Sequence, residues 1–543
     1  MTGGGSLQDM ASSGRAGFAV LTGLFLLCAY GPLAAVAADA LGVLAASPAA
    51  AGLIIPGGRT LALFLSGLFL AAAVAAAGTV TGWCAATLLW RWTTGPLSLL
   101  RWSFLAFALV PPYLWAQAWL EGALLVGRAL QVTGIAFSWG WLFSFWVQFA
   151  SLLPLATGIC LAGLVVADTA ALEAGRLFGG DMPALLRVVV PVTAPAAGAS
   201  AALLFLLSVT DYSVPSLFSV NVYALEIFAE YAASGSAGRT LLLALPLMAV
   251  TAAVMYLLQG RLRRMVHAAD PAAGRLAVPF TFVGWFRGVQ ALACGVLVTQ
   301  CAFLTMMLAV GWLAGPRAGG FSAFAAPAAA MSILLSLAAA LCALPLAYPL
   351  AARMNTDTRG GWWLVALAPL AVPAALVGVG MIALAGPAGL FYGTWALPLA
   401  ALCARFVPVA ALLLLIQMRR VPPLLFDAAA VFEPSPGAGW VRVRLVLLGP
   451  GIIAAGMVVF TLAAGELGAT LLLLPPGGET VTILMYNYLH YGSSGDVSAL
   501  GLAMLLLMTG TGIAALWAMG GRGWAGGRPS PRRAPSAGGD LHD

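Results

Sequence analysis

Apolar stretches of about 20 residues follow one another from end to end of the chain, and about 20 residues is what a helix needs to cross roughly 30 Å of hydrocarbon. A soluble core could not hide so much apolar surface: 62% of the residues are hydrophobic and 8% charged, where a soluble domain carries about a quarter charged. The fold class that follows is all-α, a polytopic transmembrane helical bundle. We place 12 spans near residues 17–38, 61–90, 102–121, 135–166, 195–219, 240–259, 288–314, 327–351, 362–386, 394–417, 450–474 and 498–519. Gly and Pro recur inside them, which membrane helices tolerate because neighbours satisfy the freed backbone groups.

An even number of spans puts both termini on one side, and arginine says which. Lysine is absent, and of 25 arginines 20 fall in loops or tails of one parity. Arg59, Arg128, Arg239 and Arg317 fall on the other, and Arg405 lies inside a span. The bias makes both termini cytoplasmic, so the net charge of +7 is topological and implies no nucleic-acid partner. The first span ends in small residues, Ala34–Ala38, but is longer than a signal-peptide core, and we expect it to be a retained helix.

Several chemistries find no residues to carry them. Without lysine there is no phosphate-binding loop of the GxxxxGK[ST] kind, so nucleotide hydrolysis would belong to another chain. No Ser/His/Asp set or HExxH motif occurs, the seven cysteines form no CxxC pair, and His267, His490 and His542 stand apart. We therefore expect no catalytic residues, no metal site and no cofactor.

The polar connector 259–275 (QGRLRRMVHAADPAAGR) divides the chain into two halves of one plan. Pro154 precedes Glu173 by 19 residues and Pro408 precedes Asp427 by 19; Pro195 precedes Asp211 by 16 and Pro450 precedes Glu466 by 16. YAASG at 231–235 is matched more loosely by YGSSG at 491–495. The division reads 1–260 as the first six-helix half, 261–287 as a cytoplasmic linker, 288–520 as the second half and 521–543 as a disordered cytoplasmic tail. Such duplication argues for a pathway at the interface of two pseudo-equivalent bundles inserted in the same orientation.

Between the fourth and fifth spans of each half lies a patterned cytoplasmic loop, 167–191 (ADTAALEAGRLFGGDMPALLRVVVP) and 418–449. Asp168 or Thr169 is a plausible cap for a short helix carrying Glu173 early, where the dipole favours negative charge. These loops resemble the Glu-Ala-Ala, three residues, Gly motif of the membrane subunits of binding-protein-dependent ABC importers. The first copy matches at Glu173, Ala174, Gly179 and Pro191, with Gly175 in place of the second Ala. The second keeps Asp427, Ala428 and Ala429 but has Glu433 where Gly belongs and Val446 where Pro belongs, and Glu433, Pro434 and Pro436 should stop its helix early. The layout is similar to fused permeases of the ferric-iron and thiamine type, and 464–492 looks more like the iron-type members. The resemblance implies loop helices that dock on a cytoplasmic ABC ATPase in two copies, an external solute-binding protein, alternating access, and a bacterial inner-membrane location.

Ionisable residues inside spans point to function by default. Asp211 and Glu466 are repeat equivalents near the outer ends of their helices, candidates for a vestibule or gate and equally for water-exposed interfacial carboxylates. Arg405 aligns with Ser151, breaking the symmetry; it can pair with Glu466, attract an anionic solute, or serve as a structural salt bridge or snorkelling side chain. On the outer side Glu226, Glu230, Tyr231, Glu479, Tyr486, Tyr488, His490 and Tyr491 suit either a docking surface or an interfacial belt. The rival class is an ion-coupled secondary transporter, also commonly built of two six-span halves, which would place carboxylates near the midplane. A membrane-embedded enzyme would need a catalytic constellation that the sequence lacks.

Overall fold

The computed structural model describes residues 4–91, 103–131, 134, 138–167, 169–177, 180–268, 284–315, 321–386, 389, 391–432, 440–491 and 494–520. The described elements are helical throughout. The first half runs α1 (Gly4–Ala46), α2 (Arg59–Leu89), α3 (Pro112–Leu130), α4 (Gly140–Val166), α5 (Thr169–Leu177), α6 (Val190–Val209), α7 (Ser213–Leu217), α8 (Tyr223–Ser234) and α9 (Ala237–Ala268). The second repeats it as α10 (Gly284–Ala314), α11 (Phe321–Thr356), α12 (Ala374–Ala385), α13 (Ala396–Arg420), α14 (Pro423–Phe432), α15 (Leu445–Ala464), α16 (Thr470–Leu473), α17 (Val481–Tyr491) and α18 (Ser494–Gly520).

Among the described residues ten helices are long and apolar enough to cross a membrane. The remaining two of the twelve expected spans are bent: 103–109 meets 112–127 at 98°, and 361–371 meets 374–385 at 97°. These are the third spans of the two halves, and both break at a Val-Pro pair, Val110-Pro111 and Val372-Pro373. A proline disfavours the α conformation for the residue before it; Val110 and Val372 are extended, at φ −76°, ψ 123° and φ −82°, ψ 126°. Each follows a tight 3₁₀ turn, Phe107–Leu109 and Ala368–Ala371. The spans expected at 102–121 and 362–386 are each broken at this point.

The repeat prolines Pro154, Pro195, Pro408 and Pro450 lie inside α4, α6, α13 and α15. Matched π-helical turns, Leu185–Val189 and Trp440–Arg444, lead into α6 and α15.

In each half the second, fourth and fifth spans form the packed centre: α2 with α4 and α6, and α11 with α13 and α15. The first span of each half crosses over. Helix α1 lies on α12, α13 and α11, while α10 lies on α2 and α3. One buried cluster accordingly joins Cys84, Trp115 and Leu153 to Leu304 and Met508, and another joins Phe25 and Ala29 to Ala343, Leu402 and Val459. The halves are interlocked, not abutting. Helix α9 runs on to Ala268, so the first eight residues of the segment read as a linker are helical; 269–283 and 521–543 lie outside the described residues.

Candidate functional site

The acid that ends the fifth span is held from the fourth span in both halves, by different chemistry. In the first, the Asp211 carboxylate accepts hydrogen bonds from Gln148 Nε2 of α4 (3.1 Å), Ser213 N (2.9 Å) and Ser213 Oγ (2.6 Å). Ser208 Oγ donates to Gln148 Oε1 (2.5 Å) and fixes that amide. In the second, Glu466 Oε1 lies 3.0 Å from Arg405 Nη1 of α13 and accepts from Ala469 N (2.9 Å), while Oε2 accepts from Thr470 N (3.0 Å). Ser151, the counterpart of Arg405, turns back to the Gln148 carbonyl, 3.0 Å away. The pairing weighed for Arg405 and Glu466 is made, and Gln148, one helical turn from Ser151, takes the arginine's place in the first half.

Packing explains the position of the Glu466 turn. A Cβ on Gly465 would stand 2.5 Å from Pro111 Cγ, and one on Gly468 would stand 2.6 Å from Ala374 Cβ. The breaks in both third spans therefore press on this turn, and only glycine admits them. Tyr113, on the first turn after the Pro111 break, borders a gap closed by Ser213, Leu217, Leu467, Thr482, Tyr486 and Leu489. The gap is about 10 Å³, room for a single water. It lies on the seam between the halves, reached by Ser213 beside Asp211 and by Leu467 beside Glu466. The Tyr212 hydroxyl is buried with no hydrogen-bond partner among the described residues.

Arg405 stands nine residues into α13, about 14 Å along it, so the seam is reached from within a span. Sequence reasoning missed Gln148, Tyr113, Tyr212 and Thr482, whose placement depends on how the halves meet; the repeated Val-Pro was the one local signal for the breaks. It also placed Glu121 at the edge of a span, whereas the residue lies inside α3, 9% exposed, with Gln117 Nε2 donating to it at 3.1 Å. Among the described residues no group of three His, Cys, Asp or Glu side chains is arranged to hold a metal ion.

The loop residues lie apart from the seam. Glu173, Ala174 and Gly175 are on α5, where a Cβ at 175 would stand 2.8 Å from Val188 Cγ2 of the π-helical turn. The unexpected glycine thus lets α5 seat on that turn. Arg176 Nε lies 2.7 Å from Asp181 Oδ1, tying the two sides of the loop. Asp427, Ala428 and Ala429 are on α14, with Asp427 exposed. Leu177, Leu424 and Val431 are 86%, 77% and 76% exposed. Helix α14 ends at Phe432; Gly179, Asp168 and Glu433 lie outside the described residues. On the opposite face Glu226 and Glu230 of α8 pair with Arg59 and Arg239, each at 2.8 Å.

No family model matches the chain, and no solved structure matches it. It is similar to bacterial proteins provisionally named 2-aminoethylphosphonate transport system permease protein PhnV. Those of Salmonella paratyphi A and Salmonella typhimurium are 27% identical over 177 residues, and that of Salmonella choleraesuis is 28% identical over the same length. The match covers 32% of this chain and 65% of each relative.

Proposed function

We propose that the chain is the fused permease of an ATP-driven bacterial importer, supplying both membrane halves of the translocation pathway. The observation that carries this reading is the duplication of one device. In each half a short acidic helix with exposed apolar side chains, α5 or α14, precedes a π-helical turn that runs into the span ending at the polar seam. Each short helix packs on the π-helical turn that begins the span, so force applied to it is passed along that span to the seam, and the likeness to transport permeases supports the same class.

Under this reading both termini and both loops face the cytoplasm, and two copies of an ABC ATPase close on α5 and α14. An external binding protein delivers solute to the opposite face. The closed seam is the shut state of the pathway, with Asp211, Glu466 and Arg405 at its gate. The chain is a transport protein and not an enzyme, needing no cofactor of its own. Ferric iron, suggested by the look of 464–492, draws no support from the relatives, whose name points to an aminoalkylphosphonate; that solute is the first to test.

The test is to tag the chain, solubilise membranes and identify what copurifies, while measuring cellular uptake of radiolabelled 2-aminoethylphosphonate. A P-loop ATPase should copurify, and Glu173→Arg should release it and abolish uptake more completely than Asp427→Arg. Uptake that survives ATP depletion and stops with an uncoupler would instead establish ion coupling.

A further inference from the structure

We infer that the arginines gathered on the loop between the second and third spans of the second half, residues 353–363, form a docking surface for anionic phospholipid headgroups. The inference needs only a chain that spans a membrane, and it stands apart from the solute and the ATPase.

The loop is short and lies at the edge of the hydrocarbon. Helix α11 ends at Thr356 and the next helix starts at Gly361, so residues 357–360 alone make the connection. An apolar run resumes at once with Trp362 and Trp363, and indole rings favour the headgroup level. Arg353 lies over the Trp362 ring, 4.2 Å from its centroid. The phosphates of a bilayer therefore stand at the height of this loop.

Arginines reach the loop from both halves. From the first, Arg263 of α9 donates from Nη1 to the Thr358 carbonyl at 3.3 Å. Gly360, at φ +90°, makes the room: a Cβ there would run into the Arg263 guanidinium, with Cζ 3.2 Å away. From the second, Arg419 at the end of α13 donates from Nη2 to the Asn355 carbonyl at 3.2 Å, and Arg359 stands exposed on the loop itself. A positive-inside bias asks only that arginine lie on this side of the membrane. It does not ask that α9, α11 and α13 bring theirs to one loop.

The gathered charge is uncompensated. Both anchoring bonds go to neutral carbonyls, and the Arg419 Nε–H is buried with no hydrogen-bond partner among the described residues. The one carboxylate on the loop, Asp357, is occupied by backbone: it accepts from Arg359 N, Gly360 N and Trp362 N at 3.0, 2.9 and 2.6 Å. All four ion pairs among the described residues lie elsewhere. Across 259–268 and 353–363 five arginines stand against that one carboxylate. A guanidinium fork suits the paired free oxygens of a phosphodiester, and basic pockets between spans hold such headgroups. Phosphatidylcholine brings its own cation into the patch and is the poorer ligand; phosphatidylglycerol carries the phosphate charge alone. Because Arg263 belongs to the first half and the loop to the second, headgroups held here tie the halves together at one membrane face.

Titrating the purified chain in detergent micelles with equal amounts of phosphatidylglycerol and phosphatidylcholine, and counting retained lipids by native mass spectrometry, tests this. Phosphatidylglycerol should be preferred by about tenfold or more, and Arg353→Gln with Arg359→Gln should remove most of that preference. Lysine at both positions should keep most of it, since the charge remains. Arg359→Gln alone alters an exposed side chain, spares the fold, and should lower the preference about threefold or more. Arg287→Gln, at an exposed arginine near the start of α10, should leave it unchanged. Retention without headgroup preference, a preference that the double variant keeps, or an equal loss in Arg287→Gln each overturns the docking surface. A double variant that keeps its phosphatidylglycerol and sheds a copurifying acidic protein makes the patch a protein contact instead. Neither solute nor ATPase enters the titration, so its failure leaves the permease reading standing.

Discussion

The two halves place an acid at the same point and hold it by opposite means. Asp211 sits among neutral amide and hydroxyl donors, while Glu466 takes a guanidinium and two backbone N–H groups. The geometry is alike in both, a fourth-span side chain reaching the end of the fifth span, and the chemistry differs. The seam is therefore symmetric in shape and asymmetric in charge, and the second half bears the larger electrostatic load.

The sharpest way to break this contrast is to remove each acid. Glu466→Ala leaves the Arg405 charge uncompensated inside the membrane and should cost about 3–5 kcal/mol. Asp211→Ala strands only neutral donors and should cost about 1–3 kcal/mol. Reversible unfolding in mixed micelles measures both; equal losses would mean that the ion pair adds nothing over the amide.

The helical class and the number of spans were legible in the sequence because hydropathy is local, and Asp211, Glu466 and Arg405 were singled out as ionisable residues within or at the ends of spans. The cross-over of α1 and α10 was not: their apolar surfaces would suit either half, and only packing chooses. Gln148 and Tyr212 look like ordinary polar residues in an apolar run until the halves meet. The 98° and 97° bends had a local signal, since Val-Pro recurs at the same point, yet a proline inside a membrane span more often stays within a continuous helix, as Pro154 and Pro408 do.

The seat of the Glu466 turn gives the next test. Gly465→Val drives a side chain into Pro111 and Met508 and should cost about 1–3 kcal/mol. At the matching place in the first half Thr210 already carries a side chain, its hydroxyl bonded to the Leu206 carbonyl at 2.7 Å, so Thr210→Val should cost about 1 kcal/mol or less. A mild Gly465→Val would show that the broken third span yields, and that the turn is not gripped.

The loops joining second and third spans differ in their response to acid. Asp357 accepts from Arg359 N (3.0 Å), Gly360 N (2.9 Å) and Trp362 N (2.6 Å). Desolvation pushes its carboxyl upward, but these bonds outweigh it and hold the group below the usual carboxylate range. A lowered folded value means stability that is present above the unfolded value of about 3.9 and lost as pH falls through the folded one. Asp357→Ala should cost about 1 kcal/mol near neutrality, the worth of a helix cap, and the gap from the parent should close in acid. Residues 92–102, the counterpart, carry no carboxylate, so this titration belongs to the second half alone.

The outer helices differ least in energy. Helix α8 is pinned by Arg59–Glu226 and Arg239–Glu230, whose arginine side chains are 65% and 42% exposed, and such pairs are worth about 0–1 kcal/mol each and fade with salt. Helix α17 is instead tied by Val481 N donating to Ser332 Oγ at 2.8 Å, out of water's reach. Arg59→Ala with Arg239→Ala should loosen α8 at low ionic strength and change little in molar salt, read as faster amide exchange over 223–234. Ser332→Ala should loosen α17 by about 1 kcal/mol whatever the salt. The two arginines are also among the four that defy the positive-inside bias, and pairing with α8 explains why they are tolerated there: at that edge the net charge is close to zero. A salt-independent α8 would mean that the clamp is packing and not charge, and the outer faces of the two halves would then be alike.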